Sequence, residues 1–253
     1  MKKEEDGGFI ALRGFAFQFD KALLEILKNP SDRYQIENIQ DYNFKDHAVQ
    51  VKYCATDYSK SQRKAQIKGF IIKLLKAFSS DTSKKYCIYT YYKGVPEEVV
   101  KLTPLELDDY LGKEKGKFTD ELKQNFIANF KIIFAPDFKE QFNQIIENIK
   151  IHYGCSTDHA ICYHAIMVSY LERLVIKYKR DEAAQRSCIK KDFDNLLSKQ
   201  QEMIFRTGYQ HILDTSKYHS ILRKRYFNRR LFSPKERLFI IEPNPMCEST
   251  LVL

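Results

Sequence analysis

Residues 59–78, SKSQRKAQIKGFIIKLLKAF, constrain the fold most. Ile67, Phe70, Ile71, Leu74, Leu75 and Phe78 recur at i, i+3, i+4, i+7, i+8 and i+11. That period places them on one stripe of an amphipathic helix, which is stable only if something covers the stripe. The segments on either side have strand character. They are AVQVKYC at 48–54 and YCIYTYY at 86–92, rich in β-branched and aromatic residues. A helix set between strands indicates the α/β class.

The rest of the chain extends this pattern. Residues 9–28 carry Phe9, Leu12, Phe15, Phe19, Leu23 and Ile26 at helical spacing, and Asn29-Pro30 ends the run. Residues 33–44 read as extended. Lys45-Asp46-His47 is a tight polar turn, so 33–44 and 48–54 are expected to form an antiparallel hairpin. Residues 96–111 and 119–128 read as helices, and FKIIFA (130–135) reads as a strand closed by Pro136. Beyond Pro136 the pattern is helical, with no convincing strand before 237–241. Three parts are therefore expected. They are an α/β core over 1–136, a helical extension over 137–236, and a tail or stub of a further domain over 237–253.

With 253 residues and 43% hydrophobic content, the chain can bury one large core or two modest ones. No run of eighteen apolar residues exists, and MKKEEDGG lacks the apolar segment of a signal peptide. A cytoplasmic protein without a membrane partner is expected. The six scattered cysteines read as reduced residues rather than a disulfide framework. A net charge of +9 suits a polyanionic partner without establishing one.

The 48–54 strand raises a chemical question. Side chains alternate along a strand, so Gln50 and Lys52 share one face while Val49 and Val51 share the other. Burying an unpaired lysine costs several kcal/mol or removes its proton, which a nearby carboxylate prevents. Asp41 lies across the turn and can face both residues. A carboxylate, an amide oxygen and waters suffice to hold Mg²⁺. A lysine beside them can neutralise charge developing on a phosphoryl group. Against this, Gln50 and Lys52 on an exposed edge strand would need no such explanation, Lys52 merely extending its head into water.

The combination of Asp41, eight intervening residues and Gln50-Val51-Lys52 resembles the PD-(D/E)xK restriction-endonuclease-like core, with glutamine replacing the usual acid. GFAFQFDKAL at 14–23 strengthens the likeness to one subgroup, the N-terminal nuclease domain of bacterial anti-phage effectors of the CD-NTase-associated protein 4 type. The resemblance covers residues 7–136. It implies a mixed sheet flanked by helices and a domain that cuts double-stranded DNA with Mg²⁺, for which Mn²⁺ can substitute. Control by a fused domain, by a sensor or motor partner, or by homo-oligomerisation is also implied. Carried over by residue, Asp41 is the metal-binding aspartate, Gln50 the second metal position and Lys52 the catalytic lysine. Gln18 is the helix residue leaning toward the metal, and Glu37 is a further metal candidate. Glutamine at position 50 and the sparse carboxylates keep a second reading open, a non-catalytic DNA-binding or assembly module on a degenerate nuclease fold.

Two basic clusters are candidates for DNA contact. On the 59–78 helix, Lys60, Arg63, Lys64 and Lys68 lie in a span without an acid between Asp57 and Asp81. The second comprises Arg223, Lys224, Arg225, Arg229 and Arg230, interleaved with Tyr226 and Phe227. It serves a partner interface equally well. Cys155, His159, Cys162 and His164 suggest zinc, but four ligands on a single helix cannot close a tetrahedron. Ser156 or Thr157 as an N-cap, with Ile161, Ala165 and Val168 in a core, accounts for that segment.

Overall fold

A computed structural model describes residues 7–55 and 58–199. The described residues build a seven-stranded mixed sheet with helices on both faces. Helix α1 (Gly7–Lys28) leads to β1 (Tyr34–Ile36), β2 (Tyr42–Phe44) and β3 (His47–Cys54). Then come α2 (Lys60–Ser80), β4 (Lys85–Tyr92), β5 (Glu98–Val100), α3 (Pro104–Leu111), α4 (Asp120–Ala128) and β6 (Phe130–Phe134). Helices α5 (Phe138–Tyr153) and α6 (Thr157–Lys177) precede β7 (Ser187–Cys188), and residues 190–199 are helical. The strand order is β5-β6-β4-β3-β2-β1-β7. Strands β1, β2 and β3 form an antiparallel meander, whereas β3, β4 and β6 run parallel.

The stripe on α2 buries Ile67, Ile71, Leu74, Leu75 and Phe78. They pack with Ala48 of β3, Ile88 of β4, Leu107 and Leu111 of α3, and Phe126 of α4. Ser59 caps the helix reciprocally with Gln62, which fixes where it starts. The opposite sheet face meets α1 and α5. There Phe17 lies 5.0 Å from Tyr53 and 6.2 Å from Phe138. Gln141 of α5 is fully buried, but its polar atoms are satisfied. Tyr89 donates to it at 2.9 Å, and it donates to the Phe17 carbonyl at 3.2 Å. Asp20 of α1 meets His164 Nε2 of α6 at 2.7 Å.

The fold departs from expectation in places. Residues 33–44 are not one strand, since the chain leaves the sheet over 37–41 between β1 and β2. Glu37 takes φ 51° there, a left-handed conformation that breaks strand geometry. Residues 98–100 pair with β6 as an edge strand, so the helix expected over 96–111 begins only at Pro104, behind its Thr103 cap. Strand β7 pairs with β1, where no strand was expected. Contacts divide the chain into Met1–Phe193 and Asp194–Leu253, and α5 and α6 belong to the first unit. The part of the expected helical extension beyond residue 199 and the tail expected over 237–253 lie outside the described residues.

Candidate active site

Strand register assembles the site. In β2–β3, Tyr42 pairs with Val49, and one further step sets Asp41 opposite Gln50. In β1–β2, Ile36 pairs with Tyr42, and one further step sets Glu37 opposite Asp41. The Glu37 N–H donates to the Asp41 carbonyl at 2.8 Å, as that extension requires. Glu37 and Asp41, just beyond the ends of β1 and β2, thus lie in a row beside Gln50 of β3, with Lys52 two residues beyond Gln50 on the same face of that strand.

Asp41 is the hub. Its Oδ2 accepts the Gln50 amide at 2.5 Å and the Val51 N–H at 2.6 Å. The second bond replaces a ladder partner that β3 loses where β2 ends. Gln18 reaches in from α1, placing its Nε2 3.5 Å from the Val51 carbonyl and near enough to Asp41 to favour its charged form. Burial raises the Asp41 carboxyl above the usual range, opposed by Lys52, the Val51 N–H and the two amides. Glu37 is pushed up to about 7, first by burial and then by the Asp41 charge, with Lys52, Arg186 and Lys73 pulling the other way. Burial therefore disfavours the charged form of both carboxyls more than the neighbouring cations favour it.

Lys52 Nζ lies over the Phe70 ring of α2, 5.5 Å from its centroid. The ring supports the ammonium without consuming its hydrogen-bonding capacity. Lys73 follows Phe70 by about one turn and bears on Glu37 from the same flank of α2. Arg186 braces the loop. Its guanidinium donates to the Glu37 carbonyl at 2.8 Å and to the Tyr178 carbonyl at 3.1 and 2.7 Å. Its own carbonyl accepts the Ile36 N–H at 2.9 Å.

Asp41, Gln50, Lys52, Gln18 and Glu37 are thus brought together. The basic residues of α2 are not all brought to them. Lys64 pairs with Asp109 of α3 and sits over Tyr110, and Lys68 Nζ lies beside Gly112. Both occupy the α3 flank, away from Phe70 and Lys73. Arg63 donates to the Tyr58 carbonyl at 3.1 Å, and Lys60 is exposed. Arg223, Lys224, Arg225, Arg229 and Arg230 lie outside the described residues. Arg186 escaped the sequence reading, and Lys73 was not singled out from the basic face of the 59–78 helix. Lys73 was one of many helix lysines until the flank facing the row was known. No spacing rule connects Arg186 to Glu37, 149 residues away. Cys155, His159, Cys162 and His164 form no ligand cluster, as no group of three or more His, Cys, Asp or Glu poised for a metal occurs among the described residues.

The donor set suits a hard divalent cation. It offers two carboxylates and two amides, and Mg²⁺ requires only one or two carboxylates because it retains waters. A cation there would offset the burial that raises both carboxyls and the Asp41 charge that raises Glu37 further. In the same loop Gln40 buries its Oε1 without a hydrogen-bond donor, so oxygens outnumber donors there. Gln50 now points its amide NH₂ at Asp41, and amide orientation follows the hydrogen-bond network. Turned over, it would set Oε1 against Asp41 Oδ2, an arrangement that a shared cation stabilises.

No family model, curated protein or solved structure matches the chain. No helix among the described residues is long and apolar enough to cross a membrane.

Proposed function

We propose that the chain is a metal-dependent endonuclease that hydrolyses phosphodiester bonds of DNA, double-stranded DNA in the first instance. We place it as the effector domain of a bacterial anti-phage system, gated by a partner, a fused sensor or self-association. The row Glu37–Asp41–Gln50 with Lys52 two residues on carries the proposal. The resemblance of residues 14–23 and 41–52 to that effector group supports the biological setting.

Asp41 and Glu37 would hold the cation, with the Gln50 and Gln18 amides completing the protein donors. Mg²⁺ there would polarise the scissile phosphate and lower the pKa of a water. Lys52 faces the position where charge builds on the phosphate, and its ammonium offsets that charge. Phe70 holds the ammonium on the row's side of α2. Lys73 and Arg186 add positive field that draws a phosphodiester toward two carboxylates that would otherwise repel it.

One observation favours the non-catalytic alternative. Asp41 closes the Val51 N–H, a structural duty that a binding-only relative would retain. Nicking of supercoiled plasmid separates the two. The nuclease reading expects Mg²⁺-dependent cleavage that chelator abolishes and that Lys52→Ala or Asp41→Ala lowers by about two orders of magnitude or more. Salt-sensitive binding without cleavage, in the presence of whatever partner or second messenger gates the chain, would establish the alternative.

A further inference from the structure

A second site lies at the carboxyl ends of β3 and β4, where ligands commonly bind open α/β sheets. A cavity of about 540 Å³ opens there between those strands, α1 and the start of α5. Its volume falls within the range of small-molecule pockets. Tyr53 and Tyr91 are direct partners in the parallel β3–β4 register, and their rings stack at 5.1 Å with an interplanar angle of 15°. Phe138 meets Tyr53 edge-on at 6.0 Å. The Arg13 guanidinium lies 5.2 Å from the Tyr53 ring centroid and donates to its hydroxyl at 3.1 Å.

The charge of this cavity is unbalanced. Arg13 enters no salt bridge among the described residues, because its hydrogen bond goes to a neutral phenol. Lys139 adds a second cation. Asp137 also lines the cavity and caps α5, its Oδ1 accepting the Glu140 N–H at 2.8 Å, so the lining sets two cations against one carboxylate. The wall therefore offers an aromatic platform beside cationic groups. A purely aromatic ligand would leave the cations unused, and a bare phosphate would leave the stacked rings unused. A ring that carries a phosphate uses both.

We propose that this cavity is a nucleotide subsite. It stacks a nucleobase against the tyrosine pair and holds the attached phosphate with Arg13 and Lys139. The base comes from a free mononucleotide or from a nucleic-acid strand. Tyr53 directly follows Lys52, so the subsite and the Asp41 row occupy opposite faces of one strand end. A strand cut at the row can place a neighbouring base in the cavity. The subsite itself does not require the nuclease reading, and only the strand source extends it.

Calorimetric titration of the full chain with AMP, and separately with a short single-stranded oligodeoxynucleotide, tests the proposal. Tyr91→Leu removes the ring while keeping bulk, Lys139→Ala removes a cation, and Arg13→Lys keeps charge but loses the planar stack. Each variant is first checked for an unchanged melting temperature, and the Lys139 variant keeps the test usable if an aromatic change unfolds the chain. AMP binding that weakens about tenfold in Tyr91→Leu and Lys139→Ala identifies a free nucleotide as occupant. The same loss for the oligonucleotide, with no AMP binding, identifies a strand base. Unchanged affinity for both ligands in every folded variant, or no binding of either by the unaltered chain, overturns the subsite. Plasmid cleavage is read in parallel, so loss of the nuclease reading and loss of the subsite are distinguishable.

Discussion

Glu37 concentrates the energetics of the site. Its carboxyl titrates at about 7 in the fold, raised by burial and by Asp41, against about 4.5 without them. The folded state thus keeps a proton that the unfolded chain releases over that interval. By linkage its contribution to stability is complete below pH about 4.5 and is lost as pH rises through about 7. Denaturant titrations in chelator are expected to show this fall, and Glu37→Gln is expected to flatten it. An equal pH slope in the variant would remove Glu37 as the source. Arg186 invites a second test. Its guanidinium makes three hydrogen bonds to backbone carbonyls, one of them that of Glu37. Arg186→Ala is expected to cost about 2–3 kcal/mol of unfolding free energy. It is also expected to weaken Mn²⁺ binding several-fold by freeing the Glu37 bend, and isothermal titration measures this. Unaltered metal affinity in a folded variant would confine Arg186 to stability. Asp41, Gln50 and Lys52 were legible in the sequence because hairpin alternation is local. Arg186 was not, because its partner is brought close only by β7 and the turn before it.

At the scale of elements, α2 was legible because an apolar stripe at period 3.6 needs no tertiary information. Leu74 is fully buried in that stripe, so Leu74→Ala is expected to cost about 2–5 kcal/mol in chemical denaturation. The basic face of α2 was less legible. Its own sequence lacks acids, yet Asp109 arrives from α3 to pair with Lys64. Lys64 is 44% exposed, so Lys64→Ala is expected to change stability by less than about 1 kcal/mol. The two flanks of the helix then give opposite expectations for DNA affinity, measured by anisotropy. Lys73→Ala should weaken binding and shallow its salt dependence, and Lys64→Ala should leave both unchanged. The reverse order would put the nucleic-acid face on the α3 side. The 33–44 segment misled for a related reason. Tyr34, Ile36, Ile39, Tyr42 and Phe44 give it strand composition throughout, while the left-handed Glu37 lifts 37–41 out of the sheet. Strand β5 was hidden because three residues carry too little pattern to outweigh a helical reading of 96–111.

Across the whole molecule, the cysteines test burial independently of any function. Cys87 and Cys188 are buried, and burial pushes the Cys87 thiol up to about 12, whereas Cys162 is exposed. A thiol reagent under native conditions is expected to modify Cys162 early, and Cys87 and Cys188 only on unfolding. Mass spectrometry of the labelled chain reads the order, and early labelling of Cys87 would contradict the β4 packing. On the proposed nuclease reading, the net charge of +9 would be the long-range complement of the local row, since it would attract a polyanion. The central claim is that Glu37, Asp41 and Gln50 form a cation site served by Lys52. Anomalous scattering from crystals soaked in Mn²⁺ tests it most directly. The account predicts a peak against the Asp41 carboxylate, with the Gln50 amide turned to present its oxygen and Lys52 Nζ within about 4 Å of the ion's ligand sphere. An ordered Asp41 still bonded to the Gln50 NH₂ and the Val51 N–H, with no peak at saturating Mn²⁺, would contradict it.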